Sequence, residues 1–240
     1  MSTAAANLKF LEASRARADS DGRLAEDALY KQVADLQRMI EAEFPFETPT
    51  AARALRPESA DATKTNPEIH RRAELIKDQC ELALSSLLKL ELWIQFRQPK
   101  IEDGGNFGVG VQESVLRDIR HARDLAMSTS NTVGAPWHRE RAKIVKDFCS
   151  TVEETTETGD DAAEGADAAA PPAKRKRTEV LPVRTEDEWE YLVATDVNHY
   201  FVMRRLVQIF VLELLHALDR LSKNRAKVEN PRANDGNSMY

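Results

Sequence analysis

The chain is poor in several things, and each shortage narrows the possibilities. It has two cysteines in 240 residues, too few for a disulfide framework. Cys80 and Cys149 fall inside apolar helical patterns and read as reduced core residues. Aromatic residues make up 6% and β-branched runs are sparse, while 42% of the chain is hydrophobic and 31% charged. That balance favours helices in water over a sheet. There is no basic excess. The net charge is −6, so the chain as a whole is not built to coat nucleic acid. Long apolar runs are missing too. The richest, Leu206–Leu215, is interrupted by Gln208 and Glu213 and is too short to span a membrane. Residues 1–12 hold no continuous apolar stretch, so no secretory signal is expected. Nine glycines remain, and four of them (Gly104, Gly105, Gly108 and Gly110) crowd into seven positions. Such clustering marks an unusual backbone path, because glycine alone escapes the Cβ clash there.

What the chain does have is helical periodicity. Residues 1–20 show none and are expected to be disordered. Leu29, Val33, Leu36 and Ile40 predict a first helix over about 21–44, ended by Pro45. Residues 45–66 read as a flexible polar insert. Asn66-Pro67-Glu68 is a helix start: a capping side chain, a proline in the first turn and an acid at the positive end of the dipole. Ile69, Ala73, Ile76, Cys80, Ala83, Leu87, Leu90 and Ile94 continue it to Pro99. The third helix follows the glycine loop, with Val111, Val115, Ile119, Ala122 and Ala126 in register and a break at Gly134-Ala135-Pro136. The pattern resumes through Trp137, Ile144, Val145 and Phe148.

Residues 150–184 form a second flexible insert. Thr151–Ala170 carry seven acids and no base, followed by Pro171-Pro172 and the basic tetrad Lys174, Arg175, Lys176 and Arg177. The tetrad is a nuclear-import candidate, and a charged linker is its plainer reading. Thr185-Glu186-Asp187-Glu188 opens the last helix. Trp189, Val193, Val197, Tyr200, Val207, Val211, Leu214, Leu218 and Leu221 form one stripe. Phe201, Met203, Ile209, Phe210, Leu212 and Leu215 widen it almost all round. A helix apolar on more than one face needs a second partner surface.

Four long helices without strands predict an all-α, up-down-up-down four-helix bundle over 21–230. That connectivity puts the loop after helix two and the segment 231–240 at the same end. Both inserts fall at the other. The loop cannot be a phosphate cradle, because no G-x-x-x-x-G-K-[ST] is present and Glu102-Asp103 would repel an anion. Glu213-Leu-Leu-His216 has only an approximate copy in Asp118-Ile-Arg-His121, where a di-iron bundle needs two full E-x-x-H motifs and two more glutamates. No metal, cofactor or catalytic set is therefore assigned. A helical scaffold and a di-metal carboxylate enzyme stand as the rival classes, since bundles host many functions.

Residues 93–113, W-I-Q-F-R-Q-P-K-I-E-D-G-G-N-F-G-V-G-V-Q-E, closely resemble the central segment of the 11S (REG-type, ATP-independent) proteasome activators. The chain departs from that family's pattern at Gly105, which follows D-G where members often carry Asn. The tail beginning Pro231-Arg232 and ending in Met239-Tyr240 also resembles the family's C-terminus, and Asn66-Pro67-Glu68-Ile69 its second-helix start. The resemblance implies a ring, expected to be a homo-heptamer, that caps the proteasome core particle and opens its gate without ATP. It implies an activation loop at Lys100, Ile101, Glu102, Asp103, Gly104, Gly105, Asn106 and Phe107. It implies docking of Asn237, Ser238, Met239 and Tyr240 between core α-subunits. The expected partners are the core particle and further copies of the chain, with no nucleic acid and no membrane. The expected role is a regulator and not an enzyme, in the nucleus or cytoplasm.

Overall fold

The computed structural model describes residues 3–56, 64–99, 107–148 and 186–232. Among these residues every regular element is helical. Helix α1 runs Thr3–Glu43, α2 Pro49–Ala52, α3 Pro67–Arg97, α4 Phe107–Thr132, α5 Ala135–Phe148, α6 Glu186–Lys223 and α7 Arg225–Glu229, with a 3-10 turn at Arg53–Leu55. The long helices form a four-cornered bundle. Helices α1 and α4 each pack against both α3 and α6, which occupy diagonal corners. The expected four-helix bundle is therefore present.

The stripes behave as their spacing dictates. All eight apolar positions assigned to α3 are buried, as are all nine of the principal stripe of α6. On α1, Leu29, Val33 and Leu36 are buried and Ile40 packs against the core. On α4, Val115, Ile119, Ala122 and Ala126 are buried, while Val111 is half-buried at the bundle's end. Cys80 is buried, which pushes its thiol pKa up to about 12 and makes it inert at neutral pH. Cys149 lies outside the described residues.

Two expectations are corrected. Residues 3–20 are helical, not disordered. Ala4-Ala5-Ala6 and their neighbours extend a helix already nucleated by its packed half, so each added residue gains a backbone bond without the cost of nucleation. This extension buries nothing up to Arg17, which is why it lacks a stripe. The insert 45–66 is also partly ordered. Thr48 caps α2, its Oγ1 accepting from Ala51 N at 3.3 Å, and Ala52 is fully buried. The Phe46 amide donates to the Tyr200 hydroxyl at 3.0 Å, and the rings of Phe44 and Phe46 lie against Tyr200.

The end of the bundle that gathers these segments is organised by one buried acid. Asp196 on α6 is 2% exposed. Arg141 of α5 donates to both its oxygens, at 2.8 and 2.7 Å. The Trp137 indole donates at 2.8 Å and the Asn66 amide at 2.9 Å. Arg141 also donates to the Lys64 carbonyl, and Asn66 to the Leu55 carbonyl. Asn66 Oδ1 meanwhile caps α3, accepting from the amides of Glu68 and Ile69. Through its donors one carboxylate thus ties α3, α5 and α6 to the backbone at Leu55 and Lys64. Gly134, at φ +86°, makes the left-handed turn that swings α5 onto this acid.

His199 stacks on Trp137 at 5.6 Å and 10° in the same cluster. It is 7% exposed and its Nε2 has no hydrogen-bond partner. Burial lowers its pKa to about 4, against the opposing pull of Asp196.

Two outcomes are expected. Asp196→Ala strands a buried guanidinium and should lower unfolding free energy by about 3–5 kcal/mol in urea titration. A loss below about 1 kcal/mol would contradict the hub. Second, the unfolded chain protonates His199 near its ordinary pKa while the folded chain resists. Stability is therefore full above that value and declines as pH falls toward the folded pKa of about 4. The decline amounts to about 3 kcal/mol and should flatten in His199→Asn.

Candidate functional site

The opposite end of the bundle holds the last turn of α3, the first turn of α4, and the short helix α7. Chain direction puts them there, and side chains lock them. Gln112 on α4 is fully buried. Its Nε2 donates to the Val228 carbonyl at 2.7 Å and to the Arg97 carbonyl at 3.4 Å. These are carbonyls that the ends of α7 and α3 leave without helical partners. Arg97 in turn donates to the Glu229 carbonyl at 3.4 Å and to Asp19 on α1 at 2.9 Å.

A cationic and aromatic stack sits beside this. Trp93 packs against Gly22 of α1 so closely that a Cβ on the glycine would fall 2.5 Å from the tryptophan Cβ. The guanidinium of Arg97 lies 5.1 Å from the Trp93 ring centre and that of Arg225 lies 5.9 Å away. Arg225 forks onto Glu26 at 2.7 and 2.6 Å and meets Glu229 at 3.3 Å. Burial opposes the Arg225 charge most strongly, but the hydrogen bonds and charges of Glu26 and Glu229 together outweigh it and leave the pKa raised. Helix α7 is thereby held to α1, α3 and α4 together.

The tightest contact lies between Gly108 and Pro231. A Cβ on Gly108 would stand 2.6 Å from the Pro231 carbonyl carbon and 2.7 Å from its Cα, inside any permitted separation. The start of α4 and the chain two residues beyond α7 therefore touch backbone to backbone. The loop that ends at Phe107 and the tail that leaves at Arg232 emerge side by side.

This placement agrees with the connectivity argument but revises the glycine cluster. Gly108 and Gly110 are not loop residues; both lie in the first turn of α4. Gly108 is needed for close approach, while Gly110 has nothing near it. Phe107 opens α4 and is 77% exposed. Lys100, Ile101, Glu102, Asp103, Gly104, Gly105 and Asn106 lie outside the described residues. So do Asn237, Ser238, Met239 and Tyr240, and the basic tetrad Lys174, Arg175, Lys176 and Arg177. Sequence reasoning missed Gln112, Arg97 and the Glu26–Arg225 pair. A glutamine among apolar neighbours at a core register of α4 was the one available signal. The ion pair joins residues 199 apart and left none.

The E-x-x-H pattern also has a position. Glu213 Oε2 lies 3.7 Å from His121 Nε2 and 3.8 Å from His216 Nδ1, all on the exposed surface between α4 and α6. Among the described residues no group of three or more His, Cys, Asp or Glu is arranged to hold a metal ion.

Known proteins share this helical bundle. Residues 62–154 match the family described as "Proteasome activator PA28, C-terminal". The chain is 24% identical over 181 residues to human proteasome activator complex subunit 3, covering 74% of this chain and 57% of that one. It is 28% identical over 188 residues to human proteasome activator complex subunit 2, covering 72% of this chain and 64% of that one. The chain thus spans less than two thirds of these relatives' length. The bundle superposes on the crystal structure of the 11S subunit of the Plasmodium falciparum proteasome, PA28, with a TM-score of 0.63 at 18% identity, covering 94% and 95% of the two chains. It superposes equally, at 0.63 and 12% identity, on the activator of a proteasome–11S activator complex, covering 92% and 94%. Over these residues the chain is similar to the PA28-type proteasome activators, and its fold is that of the 11S activators.

The close approach yields a paired test. Gly108→Ala pushes a methyl into the Pro231 backbone and should cost about 1–3 kcal/mol. Gly110→Ala meets open space and should stabilise by about 0.5–1 kcal/mol through helix propensity. Thermal unfolding of the two variants distinguishes them, and equal effects would contradict the contact.

Proposed function

We propose that this chain is one subunit of a ring that caps the proteasome core particle and opens its gate without ATP and without catalysis of its own. The tail residues Asn237, Ser238, Met239 and Tyr240 dock on core α-subunits. The loop residues Lys100–Phe107 act on the gate. The observation that carries this reading is the backbone contact between Gly108 and Pro231, which gives both elements one rigid base. Eight residues follow Arg232, and extended they reach about 27 Å. A single short tail binds weakly, because ordering it costs entropy for little buried area. Several tails on one assembly bind through effective concentration, so the mechanism requires an oligomer.

The surface supports one. Ile209, Leu212 and Leu215 of α6 remain exposed, Leu212 at 64%. Leu88 and Leu92 of α3 are exposed as well. Helices α3 and α6 sit on diagonal corners, so these two apolar faces are different surfaces of the bundle. Two unlike faces that mate head to tail generate a ring when the rotation closes. A homo-heptamer is the closure implied by the family. The tetrad Lys174–Arg177 would direct the assembly to the nucleus. The same exposed faces would also suit a plain helical scaffold, but that reading gives no use to a shared loop and tail base.

Deleting Ser238-Met239-Tyr240 separates the two readings. Fluorogenic-peptide cleavage by purified core particles should lose its stimulation, while the native mass of the assembly stays unchanged. Undiminished stimulation by the truncated protein would sink the docking role.

A further inference from the structure

A cavity of about 540 Å³ opens far from the loop and tail, between the 47–53 segment and the middle of α6. Its size is that of a small-ligand site. It borders the core, since Val197 of its wall also belongs to the buried stripe of α6 and Phe201 packs against the core. Its lining combines an apolar wall of Val197 and Phe201 with the guanidiniums of Arg53, Arg204 and Arg205. One acid, Glu47, shares the rim.

The arginines are not equivalent. Arg53 is committed to Glu190, 2.8 Å away. Arg205 uses its Nε on the Phe201 carbonyl of the preceding turn at 3.2 Å, which leaves its terminal nitrogens free of any ion pair among the described residues. Arg204 is half-buried, and its Nε is sealed from solvent with no hydrogen-bond partner. That nitrogen is closed to a ligand as it is to water, so any contact with one falls to the rest of the guanidinium. Its planar fork matches a carboxylate or phosphate group. An aromatic ring and a valine beside it suit an apolar body attached to that group.

We propose that this cavity binds a small organic anion, its acidic group held by Arg204 and Arg205 and its apolar part lying against Phe201 and Val197. The ligand is a carboxylate or a phosphate ester, the two anions that present paired acceptor oxygens. Glu47 sets the limit, since it disfavours bulky polyanions that would crowd the rim. This site lies apart from the loop base and the tail.

Isothermal titration of the full-length, assembled protein tests it with phenyl phosphate, benzoate, inorganic phosphate and, as an opposite-charge control, benzylamine. One saturable site per chain is expected for at least one of the two aromatic anions. Preference for phenyl phosphate would identify a phosphate ligand, and preference for benzoate a carboxylate. Arg204→Gln should weaken binding roughly tenfold or more, and Arg204→Lys less, because the charge is kept and the fork lost. Phe201→Ala should weaken the aromatic probes and leave inorganic phosphate unchanged. Thermal unfolding of each variant confirms that the fold persists, and Arg205→Gln supplies the second reading if Arg204→Gln unfolds. Absence of saturation by both aromatic anions, tighter binding of benzylamine, or affinities indifferent to Arg204 and Arg205 would each overturn the site.

Discussion

The buried carboxylate of Asp196 is the constraint on which the closed end of the bundle rests. It is a full charge removed from water, and such a charge persists only where donors replace the lost hydration. Here Arg141, Trp137 and Asn66 provide them, each from a different stretch of chain. Because the three donors are far apart in sequence, the acid acts as a geometric specification. It fixes where α5 lies, where α3 begins and how the 45–66 segment returns. Apolar groups of similar volume can match such a cluster in energy, yet they would leave those three positions without a common anchor.

The other end is built on the opposite kind of constraint, an absence of atoms. Gly108 lets α4 touch the chain at Pro231, and Gly22 lets α1 press against Trp93. Where no side chain intervenes, two backbones are held to within a small tolerance by sterics alone. Gln112 and Arg97 then satisfy the carbonyls exposed by that closeness. The start of α4 and the chain at Pro231 are thus fixed relative to each other by the shape of the backbone.

Helix α6 connects the two ends. One stripe is core, and beside it the helix borders the arginine-lined cavity as far as Gln208 and beyond that exposes Ile209, Leu212 and Leu215. Likeness to known proteins, at 24–28% identity, covers 72–74% of this chain.

Helix number, core stripes, the Asn66 cap and the break at Gly134 were legible in the sequence, because each follows from rules acting over a few residues. Periodicity of 3.6 decides which side chains share a face, and a capping amide or a φ above zero is a local demand. The up-down connectivity placed loop and tail together for the same reason, since short turns leave few alternatives. The partners of Asp196, the Glu26–Arg225 pair and the ordering of 45–56 came only with the tertiary structure. Their donors and acceptors are separated by tens to hundreds of residues, and no local rule relates them. The role of Gly108 belongs there too: the sequence marked it as a glycine needing freedom, while only the fold revealed that the freedom is space for Pro231 and not an unusual backbone angle.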